Sequence, residues 1–225
     1  IDHETKSEPI LKVLKKIYTS YAFWRICPIA SIVGGTSMSL QGLWAGPWLS
    51  DVGKFEQVEV ANILFMFTVF MMIGIIAMGI ISDYVRKFNM SPIGVMGFVI
   101  LILIIPFTVI TLGIQPKAMW TWILFSLTSF CATLAYPGLS AHFPLSYAGR
   151  VSTAVNLITF LIAFLAQYAI GGIMQYLEPG KTSGYSVESY QASFGLFLIL
   201  IIIFYISFIL MSLFEKKNKA TDKVL

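Results

Sequence analysis

Charge is scarce in this chain, and the places it avoids say more than the total. Of 225 residues only 12% are Asp, Glu, Lys or Arg, against 57% hydrophobic side chains, a balance far from that of a water-soluble domain. Histidine occurs twice, as His3 and His142, and cysteine twice, as Cys27 and Cys131. Both cysteines fall inside apolar runs, where a thiol behaves as a small hydrophobe, and no zinc-type spacing exists. Metal and nucleophile chemistry therefore have little to work with. The expectation is a non-enzyme with no catalytic residues, no metal and no cofactor. The net charge of +4 follows from membrane topology and implies no nucleic-acid partner.

Between the charges lie six long uncharged stretches, 26–50, 60–82, 88–116, 118–141, 151–177 and 189–214. A helix needs about 20 mostly apolar residues to cross roughly 30 Å of hydrocarbon, and each stretch supplies them. Barrel strands would be about half as long and would alternate in polarity; nothing here alternates. The spacing predicts an all-α membrane protein with six transmembrane helices and the lipid bilayer as its first partner. Residues 1–22 read as a linker and interfacial amphipathic helix, 23–214 as the six-helix bundle and 215–225 as a basic tail.

Lysine and arginine give the orientation, because short cytoplasmic loops retain them. Lys6, Lys12, Lys15, Lys16, Arg25, Arg86, Lys87, Arg150, Lys216, Lys217, Lys219 and Lys223 share one side, whereas the other has only Lys54, Lys117 and Lys181. Both termini are expected in the cytoplasm. The first residue is Ile1 and the opening DHETKSEP is polar linker, so the chain reads as a piece of something longer. Ile10, Leu11, Leu14, Ile17, Tyr18 and Tyr21 are expected on one helical face, lying on the inner leaflet.

Within the spans, small and polar residues mark faces turned to protein or to a water-filled cavity. In the first span Gly34, Met38, Gln41, Ala45 and Trp48 recur at alternating steps of four and three, with Trp44 alongside. The fourth repeats this spacing with Trp122, Ser126, Ser129, Thr133 and Tyr136, and the fifth places Ser152, Asn156, Ala163 and Gln167 on one side. The third and sixth are apolar nearly all round and are expected to face lipid. This triplet pattern occurs twice, as in a three-plus-three inverted repeat.

Each stripe has a plainer reading. Ser and Thr in membrane helices commonly bond back to the carbonyl one turn earlier, and small residues permit close packing. Gln41, Asn156 and Gln167 are stronger candidates for a cavity, because an amide without a partner in hydrocarbon costs several kcal/mol; bonding between helices would satisfy them equally. No Asp, Glu, Lys, Arg or His lies mid-span, so a proton-coupling group, if one exists, stands outside these residues.

At the turn between the second and third spans the chain reads GIISDYVRK, residues 79–87. This resembles the inner-loop signature of the major facilitator superfamily: Gly79, Asp83 and Lys87 match, while Tyr84 replaces a usual basic residue and Arg86 a usual glycine. Residues 142–174, HFPLSYAGRVSTAVNLITFLIAFLAQYAIGGIM, are similar to the approach to that family's eleventh helix, with Phe143, Pro144, Arg150, Thr153, Ala154, Gly171 and Gly172 in place. The resemblance covers nearly the whole chain and implies helices seven to twelve of a twelve-helix secondary transporter.

That resemblance implies a partner, the amino-terminal six-helix half, and a small solute carried by alternating access. Gln41, Trp44, Ser126, Ser129, Thr133, Tyr136, Asn156 and Gln167 would line the substrate cavity. Gly79, Asp83, Arg86, Lys87 and Arg150 would form the inner gate, and Gly46, Pro47 and Trp48 an outer helix break, since proline offers no amide proton and glycine tolerates strain. Trp44 and Trp48 read equally as interface anchors. The expected location is a bacterial cytoplasmic (inner) membrane, and a neutral or amphipathic solute is preferred. The alternatives are a self-sufficient six-helix channel or a transporter-like receptor. An intramembrane serine protease built on Ser140 and His142 fails, because residues two apart on a helix do not face each other.

Overall fold

A computed structural model describes residues 8–88 and 91–221, apart from the side chains at 85–86 and 216–221. Among the described residues every regular element is helical. Six helices are long and apolar enough to cross a membrane: Tyr21–Asp51, Gln57–Tyr84, Pro92–Leu112, Met119–Ser140, Leu145–Leu177 and Val187–Glu215, here the first to sixth spans. The chain is thus all-α, with the crossing helices of an integral membrane protein. Local signals set the ends. Ser91 caps the third span by accepting from the Gly94 N–H at 3.2 Å, Pro92 occupies its first position, and Gly113 closes it at φ 65°.

Two spans depart from regular α-helix. In the first, a π-type segment, Leu40–Trp44, ends with the Ala45 N–H bonded to the Leu40 carbonyl, five residues back. The chain then continues as α-helix through Gly46 and Pro47 to Asp51. The outer break expected at Gly46, Pro47 and Trp48 is therefore displaced. Pro47 cannot donate to the carbonyl four residues back and crowds it, and the widened turn just before it absorbs the misfit. Trp48 is only 1% exposed and stacks edge-on against Trp122 at 5.2 Å between centroids. It is a core residue and not an interface anchor. In the fourth span a 3₁₀ stretch, Phe130–Leu134, separates Met119–Ser129 from Ala135–Ser140.

The first span packs along the fifth and sixth and against the tightened part of the fourth; the fourth packs along the second and third, and the third and sixth meet each other. Glycines set the closest approaches. A Cβ at Gly35 would lie 2.6 Å from Ile162, and one at Gly74 would lie 2.3 Å from the Leu127 carbonyl oxygen. The third span was expected to face lipid, but it buries Met96, Ile100, Leu103 and Phe107 between the fourth and sixth. A helix apolar all round has no stripe by which sequence could tell its buried side. The sixth does stay largely exposed, through Ile199, Ile203, Ile206 and Leu210.

Charges tie the helix ends. Arg25 pairs with Glu215, and the Tyr21 hydroxyl donates to the Met211 carbonyl at 2.8 Å, so the start of the first span and the end of the sixth lie together. The lead-in helix, Ile10–Tyr18, buries Val13 and Ile17 and leaves Ile10 and Leu11 exposed. Lys16 donates to Glu8 at 2.9 Å and to the Tyr147 hydroxyl at 3.0 Å and so ties the helix to the start of the fifth span. At the opposite end, Asp51 accepts from the Tyr185 N–H at 3.1 Å and the Tyr190 hydroxyl at 2.8 Å. Glu178 pairs with Lys181 and accepts from Ser189 and Ser186. The lysine first, then these donors, hold its carboxyl down at about 2.

Gly74→Ala should lower stability by about 1–3 kcal/mol through overpacking against backbone. Gly79→Ala, where a Cβ meets nothing within 4 Å, should be neutral or slightly stabilising, alanine being the better helix former. Melting of both variants in detergent checks this; equal melting points would contradict the packing.

Candidate functional site

The first, fourth and fifth spans enclose a small cavity of about 60 Å³. Ala30, Gly34 and Met38 of the first span form one wall, Ser129, Phe130, Ala132, Thr133 and Tyr136 of the fourth another, and Val155 and Thr159 of the fifth close it. Glycine at position 34 leaves room for Thr159, whose methyl would lie 3.1 Å from an added Cβ. The 3₁₀ stretch shifts the side chains of the fourth span relative to a regular helix, bringing Phe130, Thr133 and Tyr136 to the cavity.

The polar groups here are satisfied locally. Ser129 donates to the Phe125 carbonyl at 2.5 Å and Thr133 to the Phe130 carbonyl at 2.7 Å, the back-bonding usual for hydroxyls in membrane helices. Ser126 does the same to Trp122 at 2.5 Å, is fully buried and lines none of the cavities described here. Tyr136 differs: its hydroxyl crosses to the fifth span and donates to the side-chain amide oxygen, Oδ1, of Asn156. Thr159 stands 3.1 Å from the Ser31 hydroxyl, which is 3.5 Å from the Cys27 sulfur. This buried polar chain between the first and fifth spans escaped the sequence reading, because single Ser, Thr and Cys residues look like packing positions.

The remaining candidates lie elsewhere. Gln41 donates to the Met71 sulfur at 2.9 Å and so faces the second span. Gln167 lies beside Gly42 in an open groove of about 500 Å³, which it shares with Leu43, Phe164, Tyr168, Gly171, Gly172 and Gln175. Trp44 packs its ring over Gly171, where an added Cβ would lie 3.2 Å away, and its indole N–H is buried without donating to a protein atom. The eight cavity candidates thus divide into a central group (Ser129, Thr133, Tyr136 and Asn156), two flanking amides, an indole beside the groove and a core serine.

The residues of the GIISDYVRK turn occupy an exposed edge. Asp83 and Lys87 are exposed, with the Lys87 ammonium 5.9 Å from the Tyr84 ring centroid. Gly79 faces open space. Arg150 is half-buried near the start of the fifth helix. The Arg86 side chain falls outside the described residues. The site as a whole offers hydroxyls, amides, a thioether and aromatic faces, and within it no formal charge. It suits hydrogen bonding and stacking. No protein-family model matches the chain, and no curated protein matches it.

If the Tyr136 to Asn156 bond couples the fourth and fifth spans, Tyr136→Phe and Asn156→Leu should be non-additive in stability, with a coupling of about 0.5–1.5 kcal/mol. A double-mutant cycle by unfolding in mixed micelles measures it; strict additivity would show the pair contributes nothing.

Proposed function

We propose that this chain is the carboxyl-terminal six-helix lobe of a secondary transporter of the major facilitator type, moving a small neutral or amphipathic solute by alternating access. The observation that carries the reading is the pattern of neighbours. Exchanging the first, second and third spans with the fourth, fifth and sixth reproduces the main contacts: first on fifth corresponds to fourth on second, and first on sixth to fourth on third. Such exchange is what a three-plus-three inverted repeat requires.

Further features support it. Each of the two central spans carries a non-α segment, Leu40–Trp44 and Phe130–Leu134; irregular backbone at membrane depth is tolerated where it is covered by protein or lines a cavity. The second and fifth spans expose broad apolar faces, including Phe65, Met72 and Ile76 on one and Phe160, Leu161 and Phe164 on the other; a partner lobe would cover part of them. Gly79, without neighbours here, would allow a partner helix to pass close to Asp83. In this reading both termini are cytoplasmic, the membrane is a bacterial inner membrane, and rocking against the amino-terminal lobe opens the central site to either side. Tyr136, Asn156, Thr133 and Met38 would contact the solute, with Gln41 and Gln167 at its flanks.

In the complete transporter, cysteine at Gln41 or Gln167 should react with a membrane-impermeant thiol reagent and be protected by the transported solute. Cys27 and Cys131 are buried and should contribute little background. Inertness of both introduced thiols would overturn the assignment of an aqueous path along this face.

A further inference from the structure

The lead-in helix, Ile10–Tyr18, meets the bundle along only one of its sides. Val13 and Ile17 are fully buried there, and Lys16 is held by Glu8 and the Tyr147 hydroxyl. Going round the helix from that side, the helical period brings Ile10, Leu14 and Tyr18, then Leu11 with Lys15 one turn on, then Lys12. Ile10 is 64% and Leu11 81% exposed. Leu14 and Tyr18 are half-buried, and Lys12 and Lys15 are exposed. The helix therefore has three sides: one against the bundle, a bare apolar strip about a quarter turn away, and a basic strip about a third of a turn beyond that.

Its depth follows from what it touches. Only Thr19 and Ser20 separate it from the first span, and the Trp24 indole N–H reaches back to donate to the Tyr18 carbonyl at 2.6 Å. Tyr21 and Trp24 are themselves exposed, and exposed aromatic residues of this kind at the end of a membrane span settle at the headgroup level. The last turn of the lead-in helix is fixed at that level with them. A helix lying there sinks its apolar strip into the boundary of headgroups and acyl chains and leaves its basic side among the headgroups. Lysine stems can lie along the apolar strip while their ammonium groups reach phosphate.

Charge selects among lipids. Glu8 is engaged by Lys16 and stands 4.0 Å from Lys12, and Lys15 takes part in no ion pair among the described residues. Positive charge is thus in excess on the exposed side, and a headgroup with net negative charge complements it where a zwitterionic one does not. We propose that the lead-in helix is a docking surface for anionic phospholipid, with Ile10, Leu11 and Leu14 against acyl chains and the Lys12 and Lys15 ammonium groups on headgroup phosphates. The inference does not depend on the transport reading.

A bimane fluorophore on Leu11→Cys in the full chain tests it, because Cys27 and Cys131 are buried and leave position 11 to the label. In phosphatidylcholine nanodiscs, the label is quenched by added phosphatidylglycerol or phosphatidylcholine carrying a nitroxide on one acyl chain. The anionic lipid should associate more tightly, by about fivefold for each lysine, and added salt should reduce the preference. Lys12→Gln with Lys15→Gln, both at exposed positions, should bring the two lipids to equal quenching with the melting point retained. Absence of quenching by either lipid would show that water or protein covers the strip and would overturn the proposal. Equal quenching by both lipids in the unsubstituted lysine background, or a preference that survives the double substitution, would overturn it as well.

Discussion

Hydrocarbon cannot satisfy a polar group, and this constraint organises the chain. Formal charge is confined to the ends of the spans, where Arg25 meets Glu215 on one side and Glu178 meets Lys181 on the other. Inside, hydroxyls return to their own helix, as at Ser126, Ser129 and Thr133, and the few bonds that cross between helices become the distinctive features. Because surrounding lipid is as apolar as a leucine side chain, close packing has to hold the helices together. Gly35 and Gly74 permit it by bringing the first span onto the fifth and the second onto the fourth.

The same constraint explains what could be read from sequence. The six spans were legible because charged residues bracket them. The central wall was partly legible, since Gly34 and Met38 on one helix and Ser129, Thr133 and Tyr136 on another do share a cavity. Periodicity failed where it carries no information. The third span has no polar side from which its burial could be inferred. Gly46 and Pro47 signalled a disturbance in the first span, but its position depended on how the helix redistributes its hydrogen bonds around Pro47. Trp48 reads as an interface residue by type, but Trp122 packs against it.

A charge-free centre has consequences for mechanism. Recognition by hydroxyls, amides and aromatic faces has no long-range electrostatic component, so a solute would be selected by shape and by hydrogen bonds within the cavity.

The central claim is that the irregular segments of the first and fourth spans lie along the proposed aqueous path while the exposed flank of the sixth span borders lipid. Hydrogen–deuterium exchange of the complete protein in lipid nanodiscs tests this directly. Backbone amides in Leu40–Trp44 and Phe130–Leu134 should exchange measurably faster than those of residues 199–206. Equal protection of all three segments would contradict the account.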